Sequence, residues 1–295
     1  MDKFRYSPKF FHHCTKIENL FTLQSLHIYP IKSLAGIALD SAVVQSRGLQ
    51  YDRRWMLVDA QGRFVSQREI RELALLGTAV EPPHLVVFSR KNPALRVLIP
   101  LEIPLDDMEN AEVQVWNDRC MAGVLPSEIN QWFSDVLGQA LRLVFMPGTT
   151  RRLTDGRYTP NDQAVSFADA FPFLLIGQAS LDDLNNRLAQ PLPMNRFRPN
   201  FVFAGGAPFE EDGWKDFSIG SVTFSCVKPC ARCIMTTTDQ DTAQRAAEPL
   251  KTLATFRQQN HKILFGQNVI WTGVNEGEII KVGDRIFERK SDFNH

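Results

Sequence analysis

The chain has 295 residues, with 33 lysines and arginines balanced by 33 aspartates and glutamates, and five cysteines. A net charge of zero gives no global field to draw it to nucleic acid or a membrane surface. The odd cysteine count, with Cys14 and Cys120 far from any partner, excludes a disulfide framework and fits a reducing cytoplasm.

Residues 1–21 mix polar and apolar side chains without a period and are expected to form an N-terminal extension, His12-His13 being an exposed pair rather than a metal site. Met1-Asp2-Lys3-Phe4-Arg5 leads into no sustained apolar run, so neither signal peptide nor membrane anchor is expected, and the chain reads as cytoplasmic. The first predicted strand covers 24–29 and stops at Pro30. Strands at 54–58 and 63–66 flank Asp59-Ala60-Gln61-Gly62, a hairpin signal in which glycine supplies the positive φ. Further strands are predicted at 95–101, 112–116 and 141–146, with a helix over 127–138 between N-cap Ser127 and terminal Gly138. Turn residues cluster at 148–160. A second helix is predicted from Ser180 through Leu181, Leu184 and Leu188, and a third from Pro249 through Leu253 and Phe256. Strands return at 217–227 and 269–288, the latter turning at Asn275-Glu276-Gly277-Glu278. Many short strands with few helices predict a β-rich α+β fold of barrel-like units with peripheral helices.

Chemistry concentrates in Cys226, Cys230 and Cys233, spaced C-x3-C-x2-C. The spacing matches an iron–sulfur signature formally, but too little chain follows for the strand–helix barrel that carries it. Structural zinc needs four ligands, and only the distant His261 could supplement the three sulfurs. A redox dithiol would sit at a helix N-terminus, whereas Ile234-Met235-Thr236-Thr237-Thr238 predicts a strand. Cys226, alternating with Phe224, reads as a small buried hydrophobe. For Cys233, Lys228 and Arg232 are expected to provide a cationic setting favouring thiolate. A single-thiolate metal site also remains open if a cofactor supplies the other ligands. An anionic cofactor would require basic residues to converge from elsewhere in the chain.

Several ordered stretches resemble the MOSC family, especially YcbX-type proteins and mitochondrial amidoxime-reducing components. They include Ile28-Tyr29-Pro30-Ile31-Lys32-Ser33-Leu34-Ala35-Gly36, Tyr51-Asp52-Arg53-Arg54-Trp55 and Ser166-Phe167-Ala168-Asp169-Ala170-Phe171-Pro172. Arg196-Phe197-Arg198-Pro199-Asn200, Glu210-Glu211-Asp212-Gly213-Trp214, residues 228–237 and Phe265-Gly266-Gln267-Asn268 continue the series. The resemblance implies an extension over 1–21, an N-terminal β-barrel domain over 22–147 and a MOSC domain over 148–290. It implies that Cys233 is the catalytic, molybdenum-ligating cysteine, with Cys230 a supporting thiol. Lys32, Ser33, Arg53, Arg198, Ala231, Arg232 and Asn268 match positions around a molybdopterin. Ala170 and Phe171 match a cofactor-facing loop, where backbone contacts are expected because hydroxyl side chains are lacking. Arg232 is expected to tune the metal's charge. The activity implied is reduction of small N-hydroxylated compounds (hydroxylamines, amidoximes, N-hydroxylated bases) by oxygen removal, a detoxification chemistry. The alternative is a non-redox carrier of sulfur or molybdenum cofactor using a cysteine persulfide.

The chain ends at His295 without the four-cysteine ferredoxin block that many relatives append, so no intrinsic iron–sulfur cluster is expected. Electrons are then expected from a separate iron–sulfur protein or flavoprotein, delivered to a monomer that binds neither nucleic acid nor membrane. Other residues carry plainer expectations. Arg151-Arg152 reads as a solvated loop pair, Trp214 as a packing anchor, and Asp239 and Asp241 as turn formers. Arg53 could form an ordinary surface pair with Asp52, whereas Arg198, between Phe197 and Pro199, is oddly placed for a solvated charge.

Overall fold

The computed structural model describes residues 20–104, 108–159 and 163–289, so nearly all of the expected N-terminal extension, with His12-His13, lies outside the described residues. β1 (Phe21–Ile28) begins three residues earlier than predicted and buries Leu23, Leu26 and Ile28. A register shift between Leu23 and Ser25 lets its apolar side chains keep facing one core despite broken alternation. β2 (Ile37–Leu39) pairs with β1, and β3 (Ser41–Gln45) pairs with β4 (Gly48–Leu49).

The next stretch builds the N-terminal barrel unit. β5 (Trp55–Val58) is buried at all four positions. The predicted hairpin forms: Gly62 has φ +75°, its N–H donates to the Asp59 carbonyl at 3.0 Å, and Phe64 bridges Val58. β6 (Leu76–Glu81), β7 (His84–Ser89) and β8 (Asn92–Pro100) form one antiparallel sheet. β9 (Glu109–Val115), β10 (Asp118–Val124) and, after a helix, β11 (Arg142–Phe145) join β5 in a second, ordered β5-β11-β10-β9. The sheets share a core in which Leu57 and Leu143 meet Leu85, Val87 and Ile99. α1 (Ser127–Leu137) buries Ile129 and Phe133 in that core and ends at Gly138 in the left-handed conformation, as its spacing predicts. Its cap is Pro126, one residue before the expected serine.

β12 (Phe173–Gly177) opens the second barrel, followed by α2 (Gln178–Asn186), β13 (Phe201–Ala204), β14 (Asp216–Ile219) and β15 (Val222–Ala231). α3 (Leu250–Ala254), β16 (Gln258–Gln259), β17 (Lys262–Trp271), β18 (Ile279–Lys281) and β19 (Arg285–Arg289) complete the described chain. Seven strands close a ring, β12-β13-β1-β19-β14-β15-β17 and back to β12. The sole parallel pair in this ring, β12 with β13, is joined through α2, the crossover that parallel pairing requires. β1 thus completes a barrel whose other strands all follow residue 172, and β18 returns to pair with β3. Phe173, Phe201, Phe203, Phe217 and Phe224 fill the interior, with Trp214 packed among them as expected. Gly266 allows closure: at φ +80°, an added Cβ would lie 2.6 Å from Ile176 Cγ1.

Two local expectations are corrected. Ile234–Thr237 is a 3₁₀ turn, not a strand. Thr236 Oγ1 donates back to the Cys233 carbonyl at 3.0 Å and Thr237 Oγ1 to the Ile234 carbonyl at 2.7 Å, local bonds that outweigh β-branched propensity. α2 starts at Gln178, because Ser180 is spent inside the fold on the buried Glu211 carboxylate at 2.9 Å.

Candidate cofactor site

The site grows from a turn after β1. Trp55 N–H donates to the Pro30 carbonyl and Lys32 N–H to the Trp55 carbonyl, so 30–34 lies against the start of β5. This docking puts Ser33 at φ 71° and Arg53 at φ 48°, while Arg198, after a 3₁₀ turn at Met194–Arg196, has φ 56°. Left-handed backbone costs a non-glycine residue roughly 1–2 kcal/mol, and here three such residues meet at one cavity.

That cavity has a volume of about 260 Å³. All ten residues singled out from the sequence line it: Lys32, Ser33, Arg53, Ala170, Phe171, Arg198, Ala231, Arg232, Cys233 and Asn268. Its walls come from the β1–β5 turn, the 168–171 loop, the 196–200 loop, the end of β15 and β17. Six basic side chains line it (Lys32, Arg53, Arg196, Arg198, Lys228, Arg232) against one carboxylate, Asp169.

Tyr29 organises two of these cations. The guanidinium carbons of Arg53 and Arg198 each lie 4.2 Å from its ring centroid, and its hydroxyl donates to the Pro199 carbonyl at 3.1 Å. Burial pushes the Tyr29 phenol up to about 12, against the pull of Arg198 and Arg53. Arg198 Nη1 donates to the Leu34 carbonyl at 2.7 Å, and burial lowers its guanidinium to about 10, still a cation at neutral pH. Arg53 is not a surface pair. Asp52 is 1% exposed, accepts from Arg53 Nη1 at 2.6 Å and from Tyr29 N–H at 2.7 Å, and burial raises its carboxyl. Asn200 Oδ1 receives Arg53 Nη1 at 3.1 Å.

The 166–171 loop is anchored from beneath by Arg152, which corrects the expectation of a solvated pair. Arg152 is 5% exposed and donates to the carbonyls of Ser166 (2.8 Å), Ala168 (2.6 Å) and Asp169 (3.0 Å) while pairing with Asp118. Asp169 pairs with the buried Lys32 ammonium and, at 3.4 Å, with Arg68. Burial works against its ionisation, but Lys32 and Arg68 overcome it and hold the carboxyl well below its usual range. Lys32 is lowered to about 8 by burial, with Asp169 opposing the fall.

Around the sulfurs the structure redistributes the cations. Arg232 Nη1 donates to Cys230 Sγ at 3.0 Å, and Lys228 sits 4.3 Å from the Tyr158 ring centroid. The donor on Cys233 Sγ is Arg68 Nη2, at 3.3 Å, from the N-terminal unit. Arg232 therefore contacts Cys230, and the cationic setting expected for Cys233 from Lys228 and Arg232 comes instead from Arg68. Arg245 donates to the Gln67 carbonyl at 2.5 Å and the Arg68 carbonyl at 3.4 Å, binding the Arg68 segment to the second barrel. Cys226 packs against the barrel core, where burial raises its thiol. Asp239 accepts from two backbone N–H groups and from Arg196, as a turn former does. Asn268 Nδ2 donates to the Lys228 carbonyl at 3.2 Å.

Among the described residues no group of three or more His, Cys, Asp or Glu gathers as a metal-ligand set. The donor set suits a different group: two half-buried sulfurs, Cys230 already engaged by Arg232 and Cys233, with cations arranged for anionic oxygens. Arg232 Nε, buried and without a partner, adds an unused donor beside the lining.

Models of known families match over most of the chain. The MOSC N-terminal beta barrel domain covers residues 20–140 and the MOSC domain covers 162–287. The chain belongs to the MOSC family. Among MOSC relatives, mouse mitochondrial amidoxime-reducing component 1 is 31% identical over 92% of this chain and 83% of its own length. Bovine mitochondrial amidoxime reducing component 2 is 30% identical over 92% of the chain and 84% of its own. Rice (Oryza sativa) molybdenum cofactor sulfurase is 33% identical over 87% of the chain, which spans only 33% of that longer protein. Among the described residues no helix is long and apolar enough to cross a membrane.

Nothing in the sequence alone marks a functional role for Arg68, Arg152, Asp169, Tyr29, Asn200 or Trp116. Their local signals are slight. Arg68 follows Ser66, whose hydroxyl bonds Glu69, an ordinary turn motif. Asp169, Tyr29 and Asn200 stand inside the family-like stretches but carry no chemistry visible without their partners.

Proposed function

We propose that this protein reduces N-hydroxylated compounds at a molybdenum cofactor bound in the cavity, with Cys233 as the protein's ligand to the metal. The single observation carrying this reading is the convergence of Cys233 with six cations on one cavity between the two barrel units. The amidoxime-reducing relatives, matched over most of their length, support the same reaction class.

Arg53, Arg198 and Lys228, with Ser33 and Asn268 beside them, would hold the cofactor's anionic and polar parts. The backbone at Ala170 and Phe171 would complete the wall. When bound, the group supplies two-electron redox chemistry for taking oxygen from an N–OH substrate. The chain's own part is orientation and charge. Tyr29 fixes two arginines, Asp52 neutralises one of them, and Arg152 holds the loop that carries Asp169. Arg68 brings positive charge to the sulfur that would bind the metal. A separate iron–sulfur protein or flavoprotein would deliver the electrons.

Benzamidoxime and a hydroxylaminopurine test the reading. Dithionite-reduced, molybdenum-loaded protein should convert them to benzamidine and the aminopurine, and Cys233→Ala should lose at least 100-fold in rate, roughly the scale of an essential group. Equal turnover by Cys233→Ala would overturn it. A second reading, transfer of sulfur or cofactor, has the sulfurase relatives in its favour. Absence of turnover in loaded wild type, with a persulfide forming on Cys233 from a sulfur donor, would favour that reading.

A further inference from the structure

Arg68 carries a planar cation, an N–C–N unit with N–H donors, into a seat formed by three groups. Its guanidinium carbon lies 4.5 Å from the Trp116 ring centroid. Its Nη2 is 3.4 Å from Asp169 Oδ2 and 3.3 Å from Cys233 Sγ. The carboxylate contact is slack, since charge-assisted N–H···O bonds close to about 2.7–2.9 Å; the sulfur contact is of ordinary length, and Nη1 reaches only Ser66 Oγ at 3.5 Å. The neighbouring arginines are held tightly: Arg53 at 2.6 Å, Arg198 at 2.7 Å and Arg232 at 2.6 Å from their acceptors. Arg68 rests in its seat without being locked there.

The seat is unfavourable as mere structure. Trp116 is 41% exposed and lies at φ 57°, a region that costs a bulky residue about 1–2 kcal/mol. Phe64 braces the indole edge-on at 4.9 Å, and its Nε1 points to Asp169 Oδ1 at 3.4 Å. Asp169 is the lone carboxylate among the lining side chains, and its side chain is 50% exposed. In a cavity suited to an anion, an ionised carboxylate repels that anion and attracts a cation. Lys32 pairs with its Oδ1, which leaves Oδ2, the oxygen facing Arg68, to take a second cationic ligand.

We propose that Trp116, Asp169 and Cys233 frame a subsite for amidine-type groups, with Arg68 as a movable occupant that a ligand of the same shape displaces. The indole face would take the planar N–C–N unit and the carboxylate would accept its N–H groups. This deepens the reductase reading and rests on it only in supposing that the ligand's N–OH turns toward Cys233. Affinity for the amidine unit itself needs no turnover.

The probe is benzamidine, titrated by calorimetry and tryptophan fluorescence into the full chain with and without molybdenum cofactor. Benzamidine should bind and quench the indole. Trp116→Ala and Asp169→Asn should each weaken binding about tenfold or more, the loss expected of one stacking or charge-assisted contact. Trp116→Phe should retain most of the affinity, and Arg68→Ala, by removing the internal competitor, should tighten binding several-fold. Since Asp169 also pairs with Lys32, each variant's melting is recorded, and Trp116→Ala decides the matter if Asp169→Asn does not fold. No tightening in Arg68→Ala, or affinity within twofold of wild type in Trp116→Ala, overturns the proposal. A chain that binds benzamidine in the expected pattern but reduces no amidoxime keeps the subsite and loses the reductase reading.

Discussion

Asp52→Ala is the perturbation whose size the structure defines best. The Asp52 carboxylate is buried, accepts the Tyr29 N–H at 2.7 Å, and pairs at 2.6 Å with an Arg53 side chain that is itself 13% exposed. Truncation leaves a buried N–H without its acceptor, about 1–3 kcal/mol, within the roughly 3–5 kcal/mol of breaking a buried ion pair. We expect about 4 kcal/mol in all. Unfolding entropy of about 2.1 cal/mol/K per residue gives roughly 0.6 kcal/mol/K for this chain, hence a Tm lowered by about 6 °C. Asp52→Asn should cost about half as much, because an amide oxygen still accepts from Tyr29 and the buried negative charge disappears. Both variants should also load less molybdenum, since Arg53 loses its main tether. Calorimetric melting and metal analysis measure the two effects. A Tm for Asp52→Ala within 2 °C of wild type would mean that the buried pair contributes little (a shift that small is roughly 1 kcal/mol).

Tyr29 offers a pH signature. Its folded pKa of about 12 lies above the ordinary value of about 10, so its contribution to stability is complete below pH 10 and is lost as pH rises toward 12. The stability difference between wild type and Tyr29→Phe, followed by chemical denaturation, should therefore fall across that window by up to about 1.4 kcal/mol per pH unit; parallel profiles would contradict the burial of the phenol. Arg152→Met removes donors from three carbonyls and the partner of Asp118, and should destabilise by about 3–5 kcal/mol in urea unfolding. A loss below about 1 kcal/mol would mean that the 166–171 loop is held by something else.

Much of the fold is legible where side chains alternate or caps are explicit. The α1 helix with Gly138 and the hairpin at Gly62 follow directly from local chemistry. β12 and β13 escape notice because Phe173–Gly177 is buried at every position and Phe201–Ala204 at three of four, so no period of two marks them. Ile234–Thr237 misleads because threonine's β-propensity is overruled by its hydroxyl bonding back along the turn. The resemblance of whole stretches singles out ten residues that line one cavity. What sequence reading could not supply is pairing across the chain. Arg68 meets Cys233 from 165 residues away, while Arg232, its near neighbour in sequence, turns instead to Cys230. Arg152 looked solvated because nothing local reveals the three carbonyls it serves.

In the proposed site the Cys233 sulfur binds the metal while distant cations hold the rest of the cofactor. Molybdenum X-ray absorption on loaded wild type and Cys233→Ala tests it most directly, because retention by Arg53 and Arg198 can leave metal content nearly unchanged. Cys233→Ala should show one sulfur fewer around molybdenum, and Cys230→Ala no such change. An unchanged sulfur count in Cys233→Ala, or the loss appearing in Cys230→Ala instead, would contradict it.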